Sequence, residues 1–241
     1  MSSILSKLDT ERFGVRIGKV QDPTKEDLLK LDEKVATERI GMVILRLGTE
    51  QHDLIQTAEM QGFRLMDTLV KLRMDLRGAE IPDVDDRIIV RPFKTGETPI
   101  LTKVARQAFS NWIGHYHADP RLPKDKCTEV YVDMIRRSCD EKDVVDFVFV
   151  AETHGEVLGF CTGKITKDKV GEGILAAVGK KGVGLNIYTN LMRYQSRHFK
   201  EEGCSSWVGA TQVNNYHVQH ALINLGLRPF GSEYTFHKWY D

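Results

Sequence analysis

Four side chains with acid, base or hydrogen-bonding groups lie within five positions of one another: His115, Tyr116, His117 and Asp119. Because histidine titrates near neutral pH, His115 or His117 is suited to accept the proton of an ammonium group. The alternative is that these are polar residues of a surface loop, or that one histidine caps a helix. Segments between helices commonly carry binding or catalysis, which favours the functional interpretation.

Another candidate histidine lies near the end of the chain, on a strand predicted from Phe230 to Lys238. Side chains alternate along a strand, so His237 shares one side with Thr235 and Trp239. His237 either faces a binding pocket or is a buried histidine whose hydrogen bonds are satisfied within a sheet. Both interpretations stay open.

The cysteines do not have the spacing of a metal site. Cys127, Cys139, Cys161 and Cys204 lie far apart, without a C-x-x-C motif or paired histidines. We therefore expect no bound metal and interpret these residues as reduced thiols of a cytoplasmic protein. No base is positioned for Cys204, so we do not expect a nucleophilic cysteine.

A glycine-rich turn is the strongest anion-binding signal in the sequence. Residues 179–184 read Gly-Lys-Lys-Gly-Val-Gly and run into an amphipathic helix predicted from Leu185 to about Lys200. Glycines allow backbone N–H groups to approach an anion at the positive end of a helix, and Lys180 and Lys181 add charge. A diphosphate would fit there. The alternative is a tight structural turn with two solvated lysines.

This turn is not the phosphate loop of a Rossmann domain or a P-loop protein. Neither G-x-G-x-x-G nor G-x-x-x-x-G-K-[ST] is complete in it. A dinucleotide-binding unit also places its glycine loop after the first strand, whereas this turn follows the fourth strand of its predicted domain. Both classes are therefore excluded.

The elements that must position these residues lie on both sides of a polar break at residues 78–85, which contains Gly and Pro and is typical of a linker. We predict an N-terminal α/β domain at 1–77 and a second domain at 86–241. In the first domain the patterns predict strand 13–20, a helix opened by Asp22-Pro23, strand 42–45, helix 53–60 and strand 63–74. In the second they predict strand 87–92, helices 100–108 and 124–138, strands 144–151, 157–165 and 174–178, helix 185–200, strand 206–212, helix 218–225 and strand 230–238.

This mixed order predicts an α/β or α+β fold around a mixed sheet. A weak internal repeat relates residues 62–66 to residues 226–230, each following a helix and preceding a long strand. Duplication and chance explain this repeat about equally well.

The overall composition excludes several classes of protein. The 34 Lys and Arg residues balance 34 Asp and Glu residues, so the net charge is zero and general nucleic-acid binding is not expected. The longest apolar run, Val144 to Ala151, is far shorter than the roughly 20 residues that span a membrane. The first residues lack the pattern of a secretory signal. These features also favour a cytoplasmic protein without a membrane partner.

The second domain resembles the GNAT superfamily of acyltransferases, in which a Q/R-x-x-G-x-G/A turn after the fourth strand holds the diphosphate of acyl-CoA. Residues 179–184 carry both spaced glycines but have Gly179 where Gln or Arg is usual. A second family motif, N-x-x-A-x-x-x-Y-x-x-x-G-F, resembles residues 215–227. Asn215 is present, but Leu222 replaces the tyrosine that protonates the departing thiolate in many members. The resemblance implies a mixed, mostly antiparallel sheet flanked by helices, and acetyl-CoA or another acyl-CoA as cosubstrate.

Three segments narrow the resemblance. Residues 8–18, 114–123 and 235–239 are similar to the opening, the acceptor-pocket segment and the closing strand of two-domain dTDP-amino-sugar N-acyltransferases, such as those acting on dTDP-fucosamine. This implies transfer of an acetyl or other short acyl group to the amino group of a dTDP-linked deoxy amino sugar, as in lipopolysaccharide or O-antigen biosynthesis. The first domain would then be a degenerate GNAT half without a glycine turn.

The resemblance also implies roles for individual residues. The cofactor-binding candidates are Ala176, Ala177, Val178, Lys180, Lys181, Gly182, Val183, Gly184 and Asn215. The catalytic candidates are His115, His117 and Asn215. The acceptor-binding candidates are Trp112, His115, Tyr116, His117, Asp119 and His237. Trp112 and Tyr116 would either stack on the thymine base or pack in the core.

Leu222 has no ionisable group, so we expect direct transfer without a covalent enzyme intermediate. The expected partners are acyl-CoA and a nucleotide sugar, without nucleic acid or membrane, and the chain could act as a homodimer. Two alternatives stay open. One is a GNAT enzyme that acylates another small amine or a protein lysine, and the other is a non-catalytic acyl-CoA-binding module.

Overall fold

The computed structural model of the protein describes residues 3–111 and 114–240. The strands are β1 Ile17–Gln21, β2 Met42–Gly48, β3 Arg64–Asp75, β4 Ile89–Pro92, β5 Phe147–Thr153, β6 Glu156–Ile165, β7 Val170–Val178, β8 Ser206–Gln212 and β9 Arg228–Trp239. The helices are α1 Lys7–Phe13, α2 Lys25–Leu29, α3 Leu31–Glu38, α4 His52–Met60, α5 Thr98–Phe109, α6 His115–Ala118, α7 Lys124–Asp140, α8 Ile187–Glu201 and α9 Tyr216–Asn224. No helix within the described ranges is long and apolar enough to cross a membrane.

These elements divide into two compact units that are discontinuous in sequence. Unit 1 consists of Met1–Val70, Ile113–Cys127 and Gly231–Asp241, and unit 2 consists of Lys71–Trp112 and Thr128–Phe230. This division differs from the predicted partition, because the histidine-rich segment and most of the last strand group with the N-terminal residues. The domain boundaries at 77 and 86 therefore stay a prediction.

The segment predicted to be a linker, residues 78–85, lies against α8 within unit 2. The Asp85 amide donates to Asn190 Oδ1 at 2.8 Å, and Lys200 Nζ donates to the carbonyl oxygen of Ala79 at 2.7 Å. The segment contains no helix or strand, as its Gly and Pro content predicts. It is nevertheless held in place at both ends by side chains of one helix.

The sheet of unit 1 has one apolar face and an opposite, polar face, which carries polar side chains among apolar ones such as Ile17 and Ile44. Strand β1 pairs in parallel with β2, and β2 pairs antiparallel with β9. The apolar face packs against α2, α3 and α4, and its buried residues include Val20, Val43, Leu45 and Phe236. Since side chains alternate along each strand, Lys19 and the other odd positions of β1 point to the opposite, polar face.

Two predictions for the first 35 residues are wrong. The predicted strand 13–20 begins only at Ile17, because residues 7–13 form α1, which ends where Gly14 takes a φ of +72°. The predicted helix cap at Asp22 is replaced by a capping box, in which Thr24 accepts from the Asp27 amide and Asp27 accepts from the Thr24 amide. Asp22 itself has a φ of +46° and lies outside the helix.

The sheet of unit 2 confirms the predicted mixed, mostly antiparallel arrangement flanked by helices. Strands β4, β5, β6 and β7 pair antiparallel in chain order, and β7 pairs in parallel with β8. The predicted hairpin joins β5 to β6 through His154 and Gly155, which both have positive φ values, as tight hairpin turns require. Phe160 of β6 and Ala177 of β7 are buried with the apolar side of α5.

Candidate functional site

Strands β7 and β8 of unit 2 begin side by side and then separate. They pair from Val170↔Ser206 to Glu172↔Val208, although β7 continues to Val178 and β8 to Gln212. Strand β7 stays paired with β6 up to Gly159↔Val178. Antiparallel pairing uses alternate residues of a strand, so the other amides and carbonyls of residues 174–178 face the side from which β8 has withdrawn. The result is an open strip of backbone hydrogen-bonding groups.

A β-bulge lies at the point where the strands separate. Thr162 pairs with Leu175 and Gly163 pairs with Gly173, which leaves Ile174 without a direct partner in β6. The Thr162 hydroxyl accepts from the Leu175 amide at 3.1 Å and lies 3.3 Å from the Leu175 carbonyl oxygen, to which it donates. A bulge bends its strand and increases the local twist. This bend accounts for the divergence of β7 from β8.

The predicted glycine turn forms a short 3₁₀ helix, Lys180–Gly182, between β7 and α8. A Cβ atom at Gly182 would lie 2.7 Å from Val178 Cγ1 and 3.2 Å from Leu158 Cβ, so no side chain fits there. Gly184 has a φ of +83°, a left-handed conformation that favours glycine. Both spaced glycines are therefore required by the local geometry.

Several backbone amides of this turn have no acceptor. Among the described residues, no hydrogen bond is made by the amides of Val183, Gly184 and Asn186. A helix also leaves its first N–H groups unpaired, and here they belong to the 15-residue helix α8. These amides lie together at the N-terminus of α8, which is the positive end of the helix dipole. The cradle fits the diphosphate of the predicted acyl-CoA, and the open strip of β7 fits its amide-containing arm.

The side chain of Gln107 on α5 reaches the turn at the position where the family usually has Gln or Arg. A Cβ atom at Gly179 would lie 3.1 Å from Gln107 Oε1, and this oxygen accepts from the Lys180 amide at 3.2 Å. Gln107 was not predicted to belong to the site. No sequence pattern relates it to a turn 73 residues later.

The two lysines of the turn differ in their surroundings. Lys181 Nζ lies 2.7 Å from Glu156 Oε1 in an exposed ion pair, whereas the described residues include no ion-pair partner for Lys180. Exposed pairs contribute little, about 0–1 kcal/mol, so Lys181 can exchange its partner for a phosphate at small cost.

Helix α9 carries the second family motif. Asn215 precedes the helix, and its Nδ2 donates to Thr211 Oγ1 of β8 at 2.9 Å. Leu222, which stands where many relatives have tyrosine, is buried. This position of unit 2 therefore contributes no proton donor.

In unit 1, three of the predicted site residues form one hydrogen-bonded chain. Asp119 Oδ2 accepts from His237 Nδ1 at 2.8 Å, and His237 Nε2 lies 2.9 Å from His115 Nδ1. Trp239 Nε1 donates to the same Asp119 oxygen at 2.9 Å. Asp119 and His237 are each only 1% exposed. The interpretation of the histidine-rich segment as an exposed loop is therefore wrong, since it forms α6 and is buried.

The order of protons along this chain follows from the chemistry of Asp119. Burial raises the pKa of Asp119, but hydrogen bonds from His237 and Trp239 outweigh it and lower the pKa below its ordinary value. Asp119 is therefore a carboxylate and can only accept, so His237 carries its proton on Nδ1. His237 Nε2 then accepts from His115 Nδ1–H, which leaves His115 Nε2 with an unprotonated lone pair. Among the described residues, no group of His, Cys, Asp and Glu could hold a metal ion.

Both histidines of the chain are held neutral. Burial lowers the pKa of His115 well below its ordinary value, and the neighbouring His237, Arg46 and Lys19 lower it further. Burial also lowers the pKa of His237, although Asp119 opposes the shift. At neutral pH both histidines are therefore uncharged, and His115 keeps a free lone pair on Nε2.

The other predicted acceptor-binding residues have different surroundings. Tyr116 packs within unit 1, because its hydroxyl donates to Asp9 at 3.2 Å and its ring stacks on Phe13 with 5.5 Å between centroids. These contacts favour the core interpretation of Tyr116. His117 is buried, and its carbonyl oxygen accepts from Lys124 Nζ. Trp112 lies outside the described residues.

Comparison with known proteins relates the fold to solved structures and nearly half of the chain to one family. Residues 110–226 match the Acetyltransferase (GNAT) family. The curated proteins include no match to this sequence. Among solved structures, the chain is similar to a GCN5-related N-acetyltransferase from Sphaerobacter thermophilus, with 14% identity and a TM-score of 0.64 over 90% of this chain and 69% of that one.

Two further structures share the fold. One is a glucosamine N-acetyltransferase region within a fungal multi-domain β-N-acetylglucosaminidase, with 14% identity and a TM-score of 0.64 over 89% of this chain and 28% of that one. The other is a tandem GNAT protein from the clavulanic acid biosynthesis pathway, with 10% identity and a TM-score of 0.56 over 87% of this chain and 68% of that one. Residues 110–226 therefore resemble a GNAT acetyltransferase domain, and the shared fold supports an acyl-CoA-dependent N-acetyltransferase.

Proposed function

We propose that the enzyme transfers an acetyl or other short acyl group from acyl-CoA to the amino group of a dTDP-linked deoxy amino sugar. The observation that carries the acyl-CoA part is the separation of β8 from β7 beside the glycine turn. The amino-sugar part is supported by the sequence resemblance of residues 8–18, 114–123 and 235–239. The fold shared with a fungal glucosamine N-acetyltransferase region agrees with it.

Unit 2 supplies the groups that bind and polarise the acyl donor. The bound cosubstrate provides a thioester carbonyl, which an amine can attack. An outward-facing amide of residues 174–178 donates to the carbonyl oxygen and stabilises the negative charge that develops on it. Ala176, Ala177 and Val178 lie in this segment, whereas Gly182, Val183 and Gly184 bind the diphosphate with their turn. Asn215 adds a side-chain contact from the start of α9.

For the proton-accepting step we propose His115, on the basis of its protonation state. An amine attacks only when its lone pair is free, so its ammonium form must first lose a proton. His115 Nε2 accepts this proton because its lone pair is free, and the hydrogen bonds to His237 and from there to the Asp119 carboxylate fix the orientation of the His115 ring. His117 is the second candidate base. Burial and the nearby Lys124 also lower its pKa, so it too is neutral at pH 7.

The transfer is direct, without an acyl-enzyme intermediate. Burial raises the pKa of Cys127 and of Cys139 to about 11, and it also raises the pKa values of Cys161 and Cys204. All four side chains are therefore protonated thiols at neutral pH and are poor nucleophiles. The amine nitrogen forms the new bond to the acyl carbon while the carbon–sulfur bond breaks.

The thiolate that leaves must take up its proton from a group other than the side chain at position 222, because Leu222 has none to give. The proton accepted by His115, or a proton from solvent, neutralises this thiolate. All four cysteines are free thiols, which agrees with the cytoplasmic location that we include in the proposal.

The experiment measures thiol release from acetyl-CoA with a panel of amines. The panel contains dTDP-linked amino sugars, the same sugars without the nucleotide, polyamines and a lysine peptide. We expect the highest kcat/KM with a dTDP-amino sugar, and a lower kcat/KM with every amine when Gly182→Val disrupts the turn. Turnover only with polyamines or the peptide would overturn the sugar assignment and leave the acyltransferase intact. Absence of turnover with every amine, despite CoA binding, would overturn both.

A further inference from the structure

The polar face of the sheet in unit 1 forms the floor of a pocket with a volume of about 440 Å³. A pocket of this size can hold a small molecule. The residues that line it come from β1, β2 and α6, and they are Lys19, Val20, Gln21, Ile44, Arg46 and His115. Lys19 and Arg46 are positively charged, Gln21 carries an amide, and no residue of this lining is acidic.

Strand register arranges the polar residues in two rows. In the first row Lys19 of β1 lies opposite Ile44 of β2, which lies opposite His237 of β9. The second row lies two residues later in β1 and β2 and two residues earlier in β9. In this row Gln21 lies opposite Arg46, which lies opposite Thr235. Residues two apart on a strand share a face, so both rows line the same side of the sheet. His115 bonds to His237 above the first row.

The pocket carries an excess of positive charge, which comes from Arg46. Lys19 Nζ lies 2.5 Å from Asp9 Oδ2, and Asp9 also accepts from Arg12 at 3.3 Å, so this carboxylate is fully engaged by two cations. No described residue forms an ion pair or a side-chain hydrogen bond with the Arg46 guanidinium. A half-buried guanidinium in a pocket has five donors, which match the oxygens of a carboxylate or a phosphate.

Thr235 gives a second, independent indication of a ligand. Its side chain is completely buried, and its hydroxyl has no hydrogen-bond partner among the described residues. Buried hydroxyls almost always have a partner, because an unpaired one loses its hydrogen bonds to water without replacement. Thr235 lies directly opposite Arg46 on the polar face. An oxyanion held by Arg46 would supply the missing acceptor.

His115 defines what else the ligand must carry. Its Nδ1 is used by His237, and the order of protons in that chain leaves Nε2 as an acceptor. An anion placed next to an acceptor would repel it, whereas a hydroxyl or ammonium group would donate to it. The pocket therefore combines an oxyanion site at Arg46 with a donor site at His115.

We propose that this pocket binds a small molecule with a carboxylate or phosphate group at Arg46 and Thr235, and with an ammonium or hydroxyl group at His115. The proposal deepens the proposed function and rests on it only for the inference that this ligand is the acyl acceptor. In that case the acceptor is an anionic amine, whose amino group lies next to the proton-accepting nitrogen.

Binding of four small probes tests the site without CoA or turnover. Inorganic phosphate and acetate carry only the oxyanion, whereas O-phosphoethanolamine and β-alanine add an ammonium group. The readout is the NMR signal of the His115 Cε1–H group in the full chain, assigned with His115→Asn. Phosphate and O-phosphoethanolamine form one pair, and acetate and β-alanine form the other. We expect saturable shifts, and within the pair that binds better we expect the ammonium-bearing compound to bind more tightly. Preference for the phosphate pair identifies a phosphate ester, and preference for the acetate pair identifies a carboxylic acid.

Matched variants separate a specific site from general electrostatics. Arg46→Gln should weaken binding by about tenfold or more, and Thr235→Val by about threefold. Arg64→Gln, which removes an exposed arginine from β3, should leave binding unchanged. Equal weakening by Arg46→Gln and Arg64→Gln, or no shift with any probe, would overturn the proposal. Because these measurements need no cofactor, they can fail while acyl transfer succeeds, and the reverse.

Discussion

The two units present chemical groups in opposite ways. In unit 2 the candidate site consists mainly of backbone, namely the open edge of β7 and the amides beside Gly182 and Gly184. In unit 1 it consists of side chains, which are joined in the chain Asp119–His237–His115. A backbone site needs the absence of side chains, and a side-chain site needs every partner present. Substitutions that add side-chain atoms should therefore impair the site of unit 2 most, and substitutions that remove polar atoms should impair the site of unit 1 most.

The largest effect on activity is expected from His115→Asn in unit 1. Loss of a general base costs about 100- to 10,000-fold in rate, so kcat should fall within that range while the KM for acyl-CoA stays near its original value. Steady-state kinetics with the preferred amine measures this. His220→Asn, on the exposed surface of α9, is the matched control and should retain full activity.

The same assignment predicts a smaller loss for the positioning residue Asp119. Asp119→Asn keeps an oxygen that can accept from His237 but removes the charge that stabilises the protonated chain. Its kcat should fall less than that of His115→Asn, and its pH–rate profile should shift. Full turnover by His115→Asn with an unchanged pH profile would show that this chain is structural only.

The second largest effect is expected from an added side chain in unit 2. In Gly182→Val the new Cβ atom would lie 2.7 Å from Val178 Cγ1, so the turn must move. Overpacking of this kind costs about 1–3 kcal/mol, which corresponds to a rise of about 5- to 150-fold in the dissociation constant of CoA if the strain falls on the cradle. Calorimetric titration with CoA measures it. Gly231→Ala is the control, since nothing lies within 4 Å of its added Cβ atom.

The difference between the units also explains what the sequence could predict. Strand β8 was predicted at its observed limits, Ser206–Gln212, and the glycine turn was found because its residues are contiguous. The chain in unit 1 was predicted only as separate candidates. Asp119 and His237 are 118 residues apart, and local patterns carry no information on which distant side chains will bond.

The sequence of β2 carries one further signal for the pocket of unit 1. Arg46 interrupts the otherwise apolar strand Met42–Gly48, and a charge in such a strand indicates either an exposed face or a polar pocket. The short helix α1 was missed because seven residues contain too few apolar positions to establish a helical period. Gln107 could not have been predicted, because only the folded position of α5 brings it to the turn.

The next prediction concerns pH and the stability of unit 1. The pKa values of His115 and His237 are lowered in the folded protein, whereas both histidines titrate near 6.5 when unfolded. Below pH 6.5 the unfolded chain therefore binds protons that the folded chain does not, so stability is lost as pH falls. At pH 5.5 the loss is up to about 1.4 kcal/mol for each histidine. Asp119 stays ionised throughout this range because its pKa lies below 3.8.

Urea unfolding at pH 7.5, 6.5 and 5.5 measures this loss. The decrease between pH 7.5 and 5.5 should be smaller in His115→Asn than in the unmodified protein, and unchanged in His220→Asn. A decrease of the same size in all three proteins would show that the pH dependence of stability arises outside the histidine chain.

The smallest effect is expected where a side chain supports the backbone site, at Gln107. Gln107→Leu removes the acceptor of the Lys180 amide, a bond of about 0.5–1.5 kcal/mol, so the KM for acyl-CoA should rise about two- to tenfold with kcat unchanged. Gln56→Leu, on the exposed side of α4, is the matched control. Gly179 has a φ of −69°, which any residue adopts, so adding Gly179→Gln to Gln107→Leu should restore the KM. If Gln107→Leu raises the KM but the added Gly179→Gln does not restore it, Gln107 shapes the turn by packing and does not replace the family residue at position 179.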